Sequence, residues 1–335
     1  MFPDAISSET PPTESPTSID AHRQREGKWM ALLPVVPPSQ ARKNKKVKRL
    51  LLEGVPSSVR YLVWCHLTDS KARAITGVYA QLGRRPRVAA FSDFEKDAKT
   101  YFPEQPQLHP HDGPLVSLLQ AYLSMVPDIQ YSSGLTSIAG HLLLLSPEED
   151  AFWIFASMMD AYLRPYFSAN TIQLEVDSAL LSKAIEANDP GVFKKLYVTL
   201  CITPGTIAKP WFSTLFVGTL PVDYLHRIWD MFLYEGVPLL IRVGLTLVQC
   251  VRHLILQATS EEVAMEYLLH PPLACLPSTA DTFLNQALSM KLKDDDVRKQ
   301  RIKMESRLKR QTQSRSLSTN ASGMQTASIS LPKAS

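Results

Sequence analysis

Cysteine is scarce in this sequence, with four residues in 335: Cys65, Cys201, Cys250 and Cys275. None belongs to a Cys-x-x-Cys pair, and each sits among apolar neighbours. The spacing offers neither a disulfide framework nor a zinc ribbon, and it fits buried thiols in a reducing intracellular compartment. Glycine is also sparse, at 13 residues. No Gly-x-x-x-x-Gly-Lys-Ser/Thr segment occurs, so no P-loop is expected to cradle nucleotide phosphates. His-Glu-x-x-His, Cys/His metal spacing and Gly-x-Ser-x-Gly are absent as well. His109-Pro110-His111 is a histidine pair in a Pro-rich loop without a third ligand, and is read as incidental rather than as a metal site. Long apolar runs are missing too. The stretch 237–251 is interrupted by Arg242 and Gln249, so no membrane span is expected. Residues 1–26 have no apolar h-region of a secretory signal. The net charge of +4 is mild, and no concentrated basic face points to nucleic acid.

What is present is helical patterning. Hydrophobic residues make up 45% and charged residues 20% of the chain, enough for a large core. Val59, Leu62, Val63 and Leu67 are apolar at helical spacing after Pro56-Ser57. Leu115, Leu118, Leu119, Tyr122, Leu123 and Val126 make a second stripe, stopped by Pro127. A third runs from Ile138 to Leu145. Glu148 and Glu149 open a fourth in a first turn, where negative charge is favourable. Further helices are expected over 177–185, 192–200, 211–216, 222–233, 239–256, 261–269 and 280–290. Strand-type alternation is scarce, so the fold class is all-α. The Ser/Thr/Pro-rich residues 1–27 and the polar residues 313–335 are expected to be disordered tails. Residues 28–49 form a basic lead-in, 50–292 one domain, and 293–312 a charged helical extension. Asp294-Asp295-Asp296 leads that extension and Arg307, Lys309 and Arg310 close it. It reads first as a solvated, partly frayed helix, with weak contact to an anionic membrane surface as the alternative.

Several segments, taken in order, resemble one known family. Gly54-Val55-Pro56 with Arg60 and Trp64 is similar to an opening Gly-Ile-Pro…Arg…Trp signature. Phe94-Glu95-Lys96-Asp97-Ala98-Lys99-Thr100-Tyr101-Phe102-Pro103 resembles an Asp-x-x-Arg-Thr-x-Pro motif. Tyr131-Ser132-Ser133-Gly134-Leu135-Thr136 resembles Tyr-x-Gln-Gly-Met-Asn. Glu148-Glu149-Asp150-Ala151-Phe152-Trp153 matches a Glu-Asp-Ala-Phe-Trp helix. Trp211-Phe212, Leu220-Pro221, Arg227-Ile228-Trp229-Asp230 and Glu235-Gly236 match a late block. These are motifs of TBC-domain proteins, the GTPase-activating proteins of Rab GTPases, and the match spans roughly 50–256.

The resemblance implies a many-helix domain that binds a small GTPase of the Rab family and regulates membrane trafficking. It needs no cofactor of its own, since GTP and magnesium belong to the partner. A cytoplasmic location follows, with a peripheral position on endomembranes left open. The ungapped match puts Thr100 at the family's finger arginine and Ser133 at its glutamine. Threonine has no charge and less reach, and serine cannot present an amide to a water. Impaired catalysis is therefore expected. Asp97 matches a residue that helps hold the arginine. Arg60, Tyr131, Gly134 and Asp230 complete the candidate binding set, and Trp64, Trp153, Trp211 and Trp229 are read as core. Two alternatives stay open. One is a working activator that uses Lys99, or the GTPase's own glutamine. The other is an α-helical scaffold that binds no GTPase. In the site implied by the resemblance, Thr100 and Ser133 share one exposed face, with Asp97 close by.

Overall fold

A computed structural model describes residues 16–168, 172–292, 295–307 and 310. The principal helices are α1 (Pro16–Leu32), α2 (Lys45–Glu53), α3 (Arg60–Thr68), α4 (Phe91–Tyr101), α5 (Pro114–Met125) and α6 (Ser133–Leu143). They continue with α7 (Glu148–Met158), α8 (Ile172–Asn188), α9 (Pro204–Thr214), α10 (Val222–Glu235), α11 (Val237–Cys250) and α12 (Ala280–Ser289). Among the described residues there is no β-strand, only an isolated antiparallel bridge between Ile129 and Ser168. The all-α expectation holds.

Local chemistry sets many boundaries. Asn44 accepts from the Lys46 and Val47 amides and starts α2, Thr203 caps α9 and Thr279 caps α12, each satisfying an orphan N–H of a first turn. α10 stops at Gly236, whose φ of +79° is accessible to glycine without a Cβ clash. α9 ends differently. Leu215 and Phe216 both adopt left-handed φ, 51° and 66°, and both are completely buried. Non-glycine residues hold that backbone only when their surroundings over-determine it. Here the Trp229 indole donates to the Leu215 carbonyl at 3.1 Å, and the Phe216 amide donates to Trp211 O at 2.9 Å.

The core is continuous through the domain and rich in tryptophan. Trp29, Trp64, Trp211 and Trp229 are at most 1% exposed. Each spends its indole N–H on a carbonyl or carboxylate: Gly54 O, Asp230, Leu268 O and Leu215 O respectively. Each thereby ties two distant pieces of chain while burying a large apolar ring.

Several boundaries differ from the sequence reading. α1 begins inside the leading polar stretch, because Trp29 anchors it against α2; residues 1–15 and 311–335 lie outside the described residues. α6 starts five residues before the first stripe residue, Ile138, so Ser133 and Gly134 are helical. The expected 239–256 helix is broken at Val251 into α11 and a short helix Arg252–Gln257. Thiol burial is also corrected: Cys65 is buried, but Cys201 is exposed. Its neighbours in sequence are apolar, yet its φ of 55° turns it out of the helical path. The charged extension is not simply solvated. Residues 295–307 are helical, Val297 is only 4% exposed, and Arg301 bonds Asp177 at 2.9 Å.

Candidate functional site

α4 and α6 carry the two motif segments, and they pack against each other. Phe94 and Ala98, one turn apart, form the buried face of α4. Asp97 stands on one flank of that face and Thr100 is exposed. The Thr100 hydroxyl donates to Lys96 O at 2.9 Å, so it is used within its own helix. Asp97 is mid-helix and caps nothing. Its Oδ2 accepts the Tyr131 hydroxyl at 2.6 Å, while that hydroxyl also lies 2.6 Å from Thr136 Oγ1. The Phe94 and Tyr131 rings meet at 5.0 Å. Burial and the neighbouring Asp97 carboxylate push the Tyr131 hydroxyl well above its usual pKa, which keeps it a neutral donor.

Successive helix residues are about 100° apart. Thr100, three residues after Asp97, therefore lies about 60° from it. Lys99, two residues after, lies about 200° away, on the opposite flank. Lys99 is exposed, but it points away from the flank where Asp97 meets Tyr131.

The second segment is held from behind. The Gln130 amide donates to Phe167 O at 2.8 Å. Ser132 is extended and Ser133 begins α6. Ser133 is partly buried, and its carbonyl accepts from Ser137 Oγ at 3.0 Å. Gly134 is fixed by close approach: a Cβ there would lie 2.5 Å from Ser213 O of α9.

Past Tyr101 the chain turns inward. The Phe102 ring lies so near Gly140 that a Cβ would meet it at 2.2 Å. The His109 ring holds the Phe102 carbonyl, with Nε2 at 2.7 Å. Phe102 and His141 ring centroids are 5.3 Å apart, His141 and Trp229 6.0 Å, and Trp229 and Trp64 5.7 Å. A line of rings thus joins the end of α4 to the interior.

At its inner end sits Asp230, completely buried. Its Oδ1 accepts from Arg60 Nε at 3.2 Å and from Trp64 Nε1 at 2.8 Å. Arg227 Nη1 stands 3.7 Å from Oδ2. Burial pushes the Asp230 pKa up and the two guanidinium groups oppose it. Arg60 also donates to Val55 O at 2.6 Å, and Arg227 donates to Leu51 O at 2.9 Å. The sequence reading put Arg60 and Asp230 in the binding set. The structure places them in the interior, bonded to each other, where they join α3 to α10. Asp97, Tyr131 and Gly134 are brought together with the motif helices; Arg60 and Asp230 act behind them.

Sequence reasoning gave no role to Thr136, Phe102, His109 or His141. Thr136 lies within the second motif and five residues beyond Tyr131, which is a helical neighbour's spacing. Phe102 lies within the first motif segment and His109 was read as an incidental member of a histidine pair, while His141 left no local signal. Among the described residues, no group of three or more His, Cys, Asp or Glu side chains could hold a metal ion.

The two short motifs are thus clasped by the Asp97–Tyr131 bond at the packed pair of helices α4 and α6. The family model of the Rab-GTPase-TBC domain matches residues 57–256. The chain belongs to that family. It is similar to TBC1 domain family member 10B of Homo sapiens, 32% identical over 70% of this chain and 30% of that protein. It is similar also to Carabin of Mus musculus, 30% identical over 83% of this chain and 64% of that one. The chain thus spans only part of these relatives. The crystal structure of the Chlamydomonas flagellar RabGAP TBC domain has the same fold, with a TM-score of 0.63, 23% identity, and coverage of 83% of this chain and 97% of that one.

Proposed function

We propose that this chain binds a Rab GTPase and regulates membrane trafficking without the family's finger chemistry. The observation that carries the reading is the flank of α4 beside the Asp97–Tyr131 bond. Thr100 there supplies no cation, and its hydroxyl is already bonded to Lys96 O. GTP hydrolysis needs charge stabilisation at the phosphate and an oriented water; an arginine finger contributes roughly 10³–10⁵-fold. Neither group is available from Thr100 or Ser133. The alternative that Lys99 substitutes is disfavoured, because its side chain leaves the helix on the opposite flank and lacks the planar fork of arginine. Binding can persist without the fingers, since affinity rests on contact area and a few anchoring residues. The outer side of the C-terminal helix exposes Lys299 and Ile302, which suits weak contact with an anionic membrane surface.

The test is single-turnover GTP hydrolysis over a panel of Rab proteins, with equilibrium binding measured in parallel. Saturable binding with no acceleration is expected for the wild type. Thr100→Arg with Ser133→Gln is expected to raise turnover by roughly 10³-fold or more, and each single change by less, because both groups serve one transition state. Strong acceleration by the wild type would refute the reading. Absence of binding to every Rab would leave a helical scaffold.

A further inference from the structure

The helix formed by residues 295–307 turns Val297, Arg301 and Met304 towards the domain, at the i, i+4, i+7 spacing of one helical face. Val297 and Met304 share a cleft of about 540 Å³ with Leu180 and Ala184 of α8 and Ile241 of α11. Arg301 Nη2 donates to Asp177 Oδ2 at 2.9 Å. Asp177 is completely buried, and the same oxygen accepts the Tyr166 hydroxyl at 2.7 Å. Burial pushes the Asp177 pKa up, and Arg301, Tyr166 and Gln173 pull against it. A buried carboxylate is tolerated only when such partners are in place.

Tyr166 and Phe167 are consecutive in the short helix Arg164–Phe167. The Phe167 carbonyl takes the Gln130 amide at 2.8 Å. Ile129 bridges Ser168, and Phe167 Cε1 lies 3.5 Å from where a Cβ on Gly134 would stand. One residue of this helix therefore holds Asp177, and the next holds the second motif segment. The bonds run without a gap from Arg301 through Asp177 and Tyr166 to Phe167, Gln130 and Tyr131, and so to Asp97.

We propose that Arg301 and Asp177 are positioning residues for segment 130–134, with the docked C-terminal helix as a strap that sets its geometry through Tyr166 and Phe167. The functional meaning rests on the reading of that segment as GTPase-facing; the coupling itself does not. Undocking removes the only cation bonded to Asp177 among the described residues. The carboxylate must then take up a proton or draw in water, and either shifts Tyr166.

Hydrogen exchange of the full chain, followed by mass spectrometry, tests this without any GTPase. Arg301→Ala and Tyr166→Phe are each expected to speed exchange over 129–135 by roughly five- to tenfold, with α10 unchanged. Arg301→Lys, which keeps the charge but not the fork, is expected to fall between them and the wild type. Wild-type exchange over 129–135 in both Arg301→Ala and Tyr166→Phe, with faster exchange confined to 295–307 and α8, would overturn the proposal. If Arg301→Ala does not fold, Tyr166→Phe decides, since it removes a single hydroxyl. A wild-type chain that binds no Rab would refute the proposed function and leave the exchange result standing.

Discussion

Asp230 and Asp97 are each bonded to an aromatic donor, and they differ in burial and in charge pairing. Asp230 is completely buried, takes the Trp64 indole N–H, and has Arg60 and Arg227 within reach. Asp97 is partly exposed, takes the Tyr131 hydroxyl, and has no cation paired with it among the described residues. In the interior the charge is matched because an unmatched one would be intolerable in a low dielectric. At the surface water can solvate the carboxylate, so the same residue type tolerates a missing partner. A carboxylate at the surface can therefore stand without a cation and leave the fold intact, whereas the interior charge needs its partners.

The comparison breaks most visibly at Asp230. Asp230→Ala leaves the buried Arg60 Nε and the Trp64 indole N–H without their acceptor and takes away the carboxylate beside Arg227, and is expected to cost about 3–5 kcal/mol of stability. Denaturant titration followed by circular dichroism measures it; a loss below 1 kcal/mol would show the interior to be as permissive as the surface. Next is Gly134→Ala. Its Cβ would meet the Ser213 carbonyl at 2.5 Å, a backbone atom that cannot swing aside, so α6 and α9 must part. A cost of roughly 1–3 kcal/mol is expected, readable in the same titration.

A third effect is in the pH dependence. His226 packs against Trp64, with ring centroids 6.3 Å apart. Burial, with Arg60 and His141 adding repulsion, lowers its pKa from 6.5 to about 4. The folded state thus resists a proton that the unfolded state accepts. This contribution to stability is full above pH 6.5, and it is lost as pH falls towards about 4. Stability should decline as pH falls through that window, with His66 and His141, also held low by burial, adding in the same direction, and His226→Gln should make the slope shallower by at most one proton. An unchanged slope in the variant would assign the decline to other groups.

The smallest expected effect is at the surface aspartate. Tyr131→Phe removes the hydroxyl from Asp97 and Thr136 and keeps the ring on Phe94. About 0.5–1.5 kcal/mol is expected, because water can replace the lost donor at a half-exposed carboxylate. A loss as large as that of Asp230→Ala would erase the distinction between the two aspartates.

The helices were legible where their chemistry is local. The stripe from Leu115 to Val126, the acidic first turn at Glu148 and Glu149, and the helix Glu261–Leu269 each declare themselves by spacing, charge or cap. The candidate site was read only through a resemblance, at Asp97, Thr100, Tyr131, Ser133 and Gly134. α1 was not, because its polar residues give no apolar stripe and its one buried apolar anchor is Trp29. The extension 295–307 was legible as a charged helix but not as a docked one, because a face of Val297, Arg301 and Met304 looks apolar only once Arg301 is neutralised by Asp177, 124 positions earlier.

By itself the sequence determined the all-α class and the family. Those follow from periodicity and short motifs, whose physics acts within a few residues. Only the tertiary structure decided that Arg60 and Asp230 are interior partners 170 positions apart, that Lys99 and Asp97 leave α4 on opposite flanks of a packed face, and that the C-terminal helix reaches the second motif through Asp177 and Tyr166. Desolvation is the reason. Whether a charge is a surface feature or an internal joint depends on what covers it, and the covering residues come from distant parts of the chain.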